Sequence, residues 1–197
     1  MIIASTTPMT LEEYLSYDDG TDHRYELIDG VLVQMGAESE INLQIAGFLL
    51  SYFLGFGIPH YLLTNKTEMV VRSRLAKTRY PDLMIKTEAL DAAMPRSERS
   101  IVLPGMPAPQ LVVEVVSPGQ PGDENYDRDY VEKRREYAQR GIPEYWIVDP
   151  SRGVVLVLAL EEMAYQEVGT FRGAEGVRSP TFPQLSLTAE QVLGAGR

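Results

Sequence analysis

The chain has 197 residues, 44% of them hydrophobic and 23% charged, which is the balance of an ordinary globular protein of one domain. It contains no cysteine and only two histidines, His23 and His60, which excludes disulfides, thiolate zinc sites and a cysteine nucleophile and disfavours a histidine-rich metal centre. The formal charge of −10 argues against a protein that coats nucleic acid through a basic surface; an enzyme that reaches nucleic acid through a local patch and bound metal stays open.

Residues 1–8 read as a flexible end, without the charged flank and apolar core of a signal peptide, so the cytoplasm is the expected compartment. Thr10-Leu-Glu-Glu is an N-cap followed by acids and predicts a short helix to about Tyr17. Arg24-Tyr-Glu-Leu-Ile, Asp29-Gly30 and Val31-Leu-Val-Gln-Met predict a hairpin with a two-residue turn. From Ser39 to about Leu54, Ile41, Ile45, Phe48, Leu49, Tyr52 and Phe53 recur at helical spacing. Strands are expected at about 61–64, 67–72 and 80–85. Residues 86–110 form a long connection with a short helix near 88–93.

The β-branched run 111–116 predicts a central strand. Residues 117–125 form a loop, and 127–140 a helix stopped by Gly141 and Pro143. Tyr145 to Pro150 is another buried strand, 153–183 two or three edge strands, and 188–193 a closing helix. The longest apolar run, 154–160, is too short to span a bilayer, so no membrane contact is expected. The class is mixed α/β, with one domain over 1–197 around one apolar sheet.

Four charged features stand out against this core. Glu114 lies among five aliphatic residues, where a carboxylate is costly unless it is paired or ligates a metal; an arginine partner is the plain alternative. Asp82 follows Pro81 and opens an apolar strand, which a turn residue also does. Asp129, Lys133 and Tyr137 are spaced four apart and share a helix face, as in a solvated ion pair. Glu26 sits in the first hairpin, where a cross-strand pair would suffice. Taken together, the carboxylates and the lysine suit hydrolysis of a phosphate ester. Hard oxygen ligands without cysteine favour Mg²⁺ or Mn²⁺, and a lysine beside the metal can orient water or neutralise developing charge.

The motifs Thr10-Leu-Glu-Glu-Tyr, Arg24-Tyr-Glu-Leu-Ile-Asp-Gly, Pro81-Asp82, Leu111-Val-Val-Glu-Val-Val-Ser-Pro, Lys133 with Tyr137, and Gly141-Ile-Pro-Glu-Tyr-Trp-Ile-Val-Asp-Pro resemble the Uma2 family. These are endonucleases of the PD-(D/E)XK superfamily, abundant in cyanobacteria. The resemblance runs from about residue 9 to 160. It implies a restriction-endonuclease-like fold, a mixed sheet flanked by helices, with the site where central strands diverge. Asp82 and Glu114 would then ligate the metal, with Glu26 as an upstream acid at the same ion. The superfamily's strand lysine is absent from Glu114-Val115-Val116, and the resemblance implies that Lys133 has taken its place from the following helix. DNA would be the partner, and nucleases of this fold often form homodimers to cut two strands. The alternative is a nuclease-fold module without catalysis that binds nucleic acid or a protein.

The charge divides unevenly. Residues 1–40 hold nine acids and one base, whereas the stretch 66–79 carries Lys66, Arg72, Arg74, Lys77 and Arg79 against Glu68. Arg72, Arg74 and Lys77 are therefore candidates to contact phosphates, with Gln34, Asn42 and Tyr137 as further substrate-contacting candidates. Such a small patch predicts DNA binding that is weak, metal-dependent and salt-sensitive.

Overall fold

The computed structural model describes residues 2–3, 8–21, 23–72, 77–96 and 99–197. The strands are β1 (Ile2–Ile3), β2 (Tyr25–Ile28), β3 (Val31–Gln34), β4 (Leu63–Thr64), β5 (Glu68–Val71), β6 (Lys77–Arg79), β7 (Leu83–Ile85), β8 (Ile101–Val102), β9 (Leu111–Val115), β10 (Glu144–Asp149), β11 (Val154–Glu161) and β12 (Ala164–Phe171). The helices are α1 (Leu11–Leu15), α2 (Glu40–Gly55), α3 (Glu88–Ala93), α4 (Glu124–Asp127), α5 (Lys133–Gln139) and α6 (Ala189–Leu193). Of the end expected to be flexible, Ile2–Ile3 pair with β3 as an antiparallel strand, and residues 1 and 4–7 lie outside the described residues.

A six-stranded sheet runs in the order β12-β11-β10-β9-β7-β4. Only β9 and β10 are parallel in it. Parallel neighbours need a crossover, and the chain supplies one through α4 and α5. The crossover covers one face of β9, where Tyr137 and Ala138 pack with Val112, Val116 and Tyr145. On the other face α2 lays Ile45, Leu49 and Phe53 against Leu111, Val113, Val115 and Trp146. The expected spacing of apolar residues over 39–54 therefore does produce the helix that seals this side.

Two three-stranded sheets, β1-β3-β2 and β6-β5-β8, flank the main one, so the expectation of one sheet is corrected to three. The hairpin β2–β3 turns at Asp29 and Gly30, both with positive φ, +49° and +82°. A two-residue turn of this kind matches the twist of its strands, and Asp-Gly tolerates it. The α1 cap forms as its sequence predicts: the Glu13 amide donates to Thr10 Oγ1, and the Thr10 amide donates to Glu13 Oε2.

Other boundaries move for physical reasons. The strand expected at 80–85 starts only at Leu83, because Pro81 lacks an N–H for a ladder. Lys77–Arg79 forms a separate strand on β5. The predicted helix 127–140 is broken into α4, a π-helical turn over Arg128–Glu132, and α5. Of the strands expected over 153–183, β11 lies inside the sheet and β12 alone is the edge. The most apolar C-terminal strand is thus covered by its neighbours and is not a free docking edge. Among the described residues, no helix is long and apolar enough to cross a membrane.

Candidate active site

Alternation along β9 points Glu114 to the α5 side, between Val112 and Val116. Its side chain is 3% exposed, so its charge needs partners. The crossover provides them. Lys133 Nζ lies 2.8 Å from Glu114 Oε2, and the Tyr137 hydroxyl donates to Glu114 Oε1 at 2.5 Å. Lys133 Nζ also lies 2.7 Å from Asp129 Oδ1, and Arg128 approaches Asp129 Oδ2 at 3.3 Å. The i, i+4 pair that a helix surface would solvate is here internal.

The charge states follow from this packing. Burial pushes the Glu114 carboxyl up, against the pull of Lys133. Burial disfavours the Lys133 ammonium, but the carboxylates of Asp129 and Glu114 outweigh it and hold the lysine above its usual range. Burial also works against Asp129, and Lys133 and Arg128 overcome it and hold Asp129 below the usual carboxylate range. Lys133 is therefore an ammonium bridging two carboxylates.

Asp82 reaches the same place from the neighbouring strand. The pairing of β7 with β9 ends at Leu83 opposite Val113, so Asp82 stands beside Glu114 in register. There the strands part, and the Val115 amide donates to Asp82 Oδ2 at 2.6 Å in place of a ladder carbonyl. The carbonyl of the same residue is held by Asn42 of α2, whose Nδ2 donates to the Val115 oxygen at 3.0 Å. Burial and then the like charge of Glu114 push the Asp82 carboxyl well above its ordinary value. Glu26 of β2 accepts from the Tyr80 amide at 3.2 Å and lies 3.6 Å from the Arg79 guanidinium.

These groups line one cleft of about 220 Å³, together with Gln34, Glu38, Asn42 and Arg128. Of the residues singled out from sequence, Glu26, Gln34, Asn42, Asp82, Glu114 and Lys133 share it. Tyr137 does not reach it; the ring is fully buried and touches the site only through Glu114. The phosphate-contacting strip is corrected as well. Lys77 is buried, with Nζ 2.8 Å from Glu136 and 3.0 Å from Glu132, and Arg79 is buried on Glu136, Glu132 and Glu26. Burial of a charge selects a carboxylate partner, and α5 and its preceding turn supply one. Arg72 is exposed but lines a different hollow, with Arg140 and Pro104, and Arg74 lies outside the described residues.

Sequence reasoning paired Asp129 with Lys133 only as a solvated i, i+4 pair and did not place Asp129 in the site, where the pair is buried. It also missed Arg128, Glu38 and Tyr80, for which no periodicity or motif gives a clue.

The donor set can be tested for a metal. Among the described residues, no three acid or histidine side chains gather closely enough to cage an ion, so Glu26 does not join Asp82 and Glu114 in one such group. The cleft nevertheless holds five carboxylates, Glu26, Glu38, Asp82, Glu114 and Asp129, against the two cations Arg128 and Lys133. Mg²⁺ typically takes one or two carboxylates and keeps waters and substrate phosphates as its other ligands. Asp82 and Glu114 fit that role; a closed zinc cage does not fit.

The model of the Uma2 family, described as "putative restriction endonuclease", matches residues 11–190. Among solved structures, a "putative nuclease" of DUF820 from Anabaena variabilis superposes with a TM-score of 0.72 at 18% identity, over 96% of this chain and 100% of that one. At that identity the likeness shows a shared fold. No curated protein matches.

Proposed function

Because the chain belongs to the Uma2 family, we propose that it is a metal-dependent endonuclease that hydrolyses phosphodiester bonds in DNA. The observation that carries this reading is the meeting, in one cleft, of Asp82 and Glu114 from adjacent strands with the Lys133 ammonium from the crossover helix.

Asp82 and Glu114 would hold Mg²⁺ or Mn²⁺ with oxygen donors, and Glu26 supports the cleft wall through Tyr80. When bound, such an ion shields the phosphodiester's charge and lowers the pKa of water. The chain's own part is positional and electrostatic. Lys133, held protonated by Asp129 and Glu114, cannot take a proton from water, but its N–H groups can orient a water or meet charge developing on phosphate. Asp82 accepts from the Val115 N–H and Asn42 donates to the Val115 carbonyl, and together they fix the end of β9 against which Glu114 is aligned. Tyr137 fixes the second oxygen of Glu114, so the carboxylate has one defined orientation.

The excess of acid in the cleft makes DNA binding weak until a divalent ion is present, and binding that rests on so few charges at the phosphate is salt-sensitive. The test is cleavage of plasmid DNA in Mg²⁺ and in Mn²⁺. Asp82→Ala is expected to abolish cleavage while circular dichroism shows an intact fold. Cleavage at the wild-type rate by that variant would refute the site.

A further inference from the structure

A second hollow, of about 240 Å³, lies beside the cleft and has one wall in common with it, Tyr80. Strand β2 serves both: Glu26 lines the cleft and the preceding residue, Tyr25, lines the hollow. Only Pro81 separates Tyr80 from Asp82, so the hollow begins one short step along the chain from the carboxylate proposed to hold the metal.

The chemistry of the lining is that of base recognition. Tyr17, Tyr25 and Tyr80 are all half-buried there, and the Tyr17 and Tyr25 rings meet edge to face at 5.9 Å. Arg99 lies with its guanidinium 4.3 Å from the centre of the Tyr14 ring and is anchored at 2.9 Å to the fully buried Glu68. Its side chain still keeps a third of its surface open. Arg24 and His23 are exposed at the rim. Aromatic faces next to guanidinium groups accept unstacked bases, because every base offers a π-face to either. The exposed Asp18 at the rim can accept from an exocyclic amine.

We propose that this hollow is a subsite for an unpaired nucleobase of the strand whose phosphate occupies the cleft, a reading that rests on the nuclease function proposed above. The enzyme would then prefer single-stranded or locally unpaired nucleic acid over a closed duplex. Tyr17 is the residue to test. Its half-buried ring carries no structural hydrogen bond through its hydroxyl among the described residues, but it packs on the cluster of Tyr14, Leu27 and Leu32, so circular dichroism and thermal unfolding of each variant accompany the binding test.

The experiment is fluorescence titration of the full chain with a short single strand carrying one 2-aminopurine, at low salt with Ca²⁺ supplied as the divalent ion and gel electrophoresis confirming that the strand stays intact. Tyr17→Ala is expected to weaken binding about 5- to 150-fold, the loss that one stacked base gives. Tyr17→Phe, which keeps the ring, is expected to bind as wild type does, and a fully paired duplex is expected to be indifferent to either change. Equal affinity of wild type and Tyr17→Ala, or no binding of the single strand by wild type, overturns the proposal. Cleavage of single-stranded and of plasmid DNA in Mg²⁺ or Mn²⁺ decides the nuclease reading separately. Cleavage with Tyr17-independent binding sinks the subsite alone, and Tyr17-dependent binding without cleavage sinks the nuclease alone.

Discussion

Lys133 bridges Glu114 at 2.8 Å and Asp129 at 2.7 Å, with side-chain exposures of 7%, 3% and 2% for the three. Replacing it with methionine keeps most of the stem and removes the charge, leaving two buried carboxylates, of which only Asp129 retains a cation, Arg128. Breaking a buried ion pair from one side costs about 3–5 kcal/mol. At about 2–4 °C per kcal/mol for a chain of this size, the melting temperature is expected to fall by about 6–20 °C. A solvated i, i+4 pair would give about 0.3–0.5 kcal/mol and a shift near 1 °C. The loss also has a pH signature. Burial already raises the folded-state pKa of Glu114, and without Lys133 that rise is unopposed by the lysine, while Asp129 keeps only Arg128 against its own burial. The variant therefore loses stability as pH rises above the unfolded carboxylate range and regains part of it as pH falls toward that range. Thermal and urea unfolding between pH 5 and pH 8 in metal-free buffer measure both effects. Arg96→Ala is the control, because the Arg96 side chain is 76% exposed and its pair with Asp91 should contribute at most about 1 kcal/mol. A Lys133→Met loss below about 1 kcal/mol, or one of equal size at pH 5 and pH 8, would refute the buried bridge.

Asp82 gives the opposite sign. Its raised folded pKa means that the ionised carboxylate destabilises the metal-free fold once pH exceeds its unfolded value. Asp82→Asn is expected to raise the metal-free melting temperature at pH 7–8 and to leave it unchanged near pH 3.5; a drop at pH 8 would contradict this. Tyr137→Phe removes a buried donor to Glu114 and is expected to cost about 1.5–3 kcal/mol in urea unfolding and to lower cleavage through loss of carboxylate alignment. Unchanged stability would show that Glu114 finds another donor. Gly30→Ala places a Cβ at φ +82° in the β2–β3 turn and is expected to cost about 1–2 kcal/mol; a neutral result would mean that the turn adapts.

Legibility from sequence followed the kind of signal involved. The α2 helix and strands β9 and β10 were legible because their apolar periodicity matches the faces they bury. The hairpin turn was legible because Asp29-Gly30 is one of few pairs that accept positive φ twice. Glu114 stood out because a charge inside an aliphatic run demands an account. What the sequence did not show was which cations are spent internally. Lys77 and Arg79 alternate with Thr78 and look like an exposed strand, yet Glu132 and Glu136 wait across from them on the crossover. That pairing joins residues more than fifty positions apart and leaves no local pattern. The π-helical turn was equally hidden. In a regular helix four residues overshoot one turn by about 40°. A wider turn over 128–132 takes more residues per revolution and reduces that drift, which helps Asp129 and Tyr137 act on the same side as Lys133.

The charge of −10 takes its meaning from the same accounting. The cations that the sequence places nearest the Pro81-Asp82 motif, Lys77 and Arg79, are consumed by Glu26, Glu132 and Glu136 beneath the site, and Lys133 is consumed by Glu114 and Asp129 within it. The cleft is left with more carboxylates than it can neutralise. Such a surface repels a phosphodiester and attracts a divalent cation, and an ion held there would reverse the local field that DNA meets. The acidity that first counted against a nucleic-acid enzyme would thus become a reason for the metal dependence proposed above. Binding and chemistry would be switched on together by the same ion, and the buried ammonium of Lys133 would be set in place by the fold before that ion arrives.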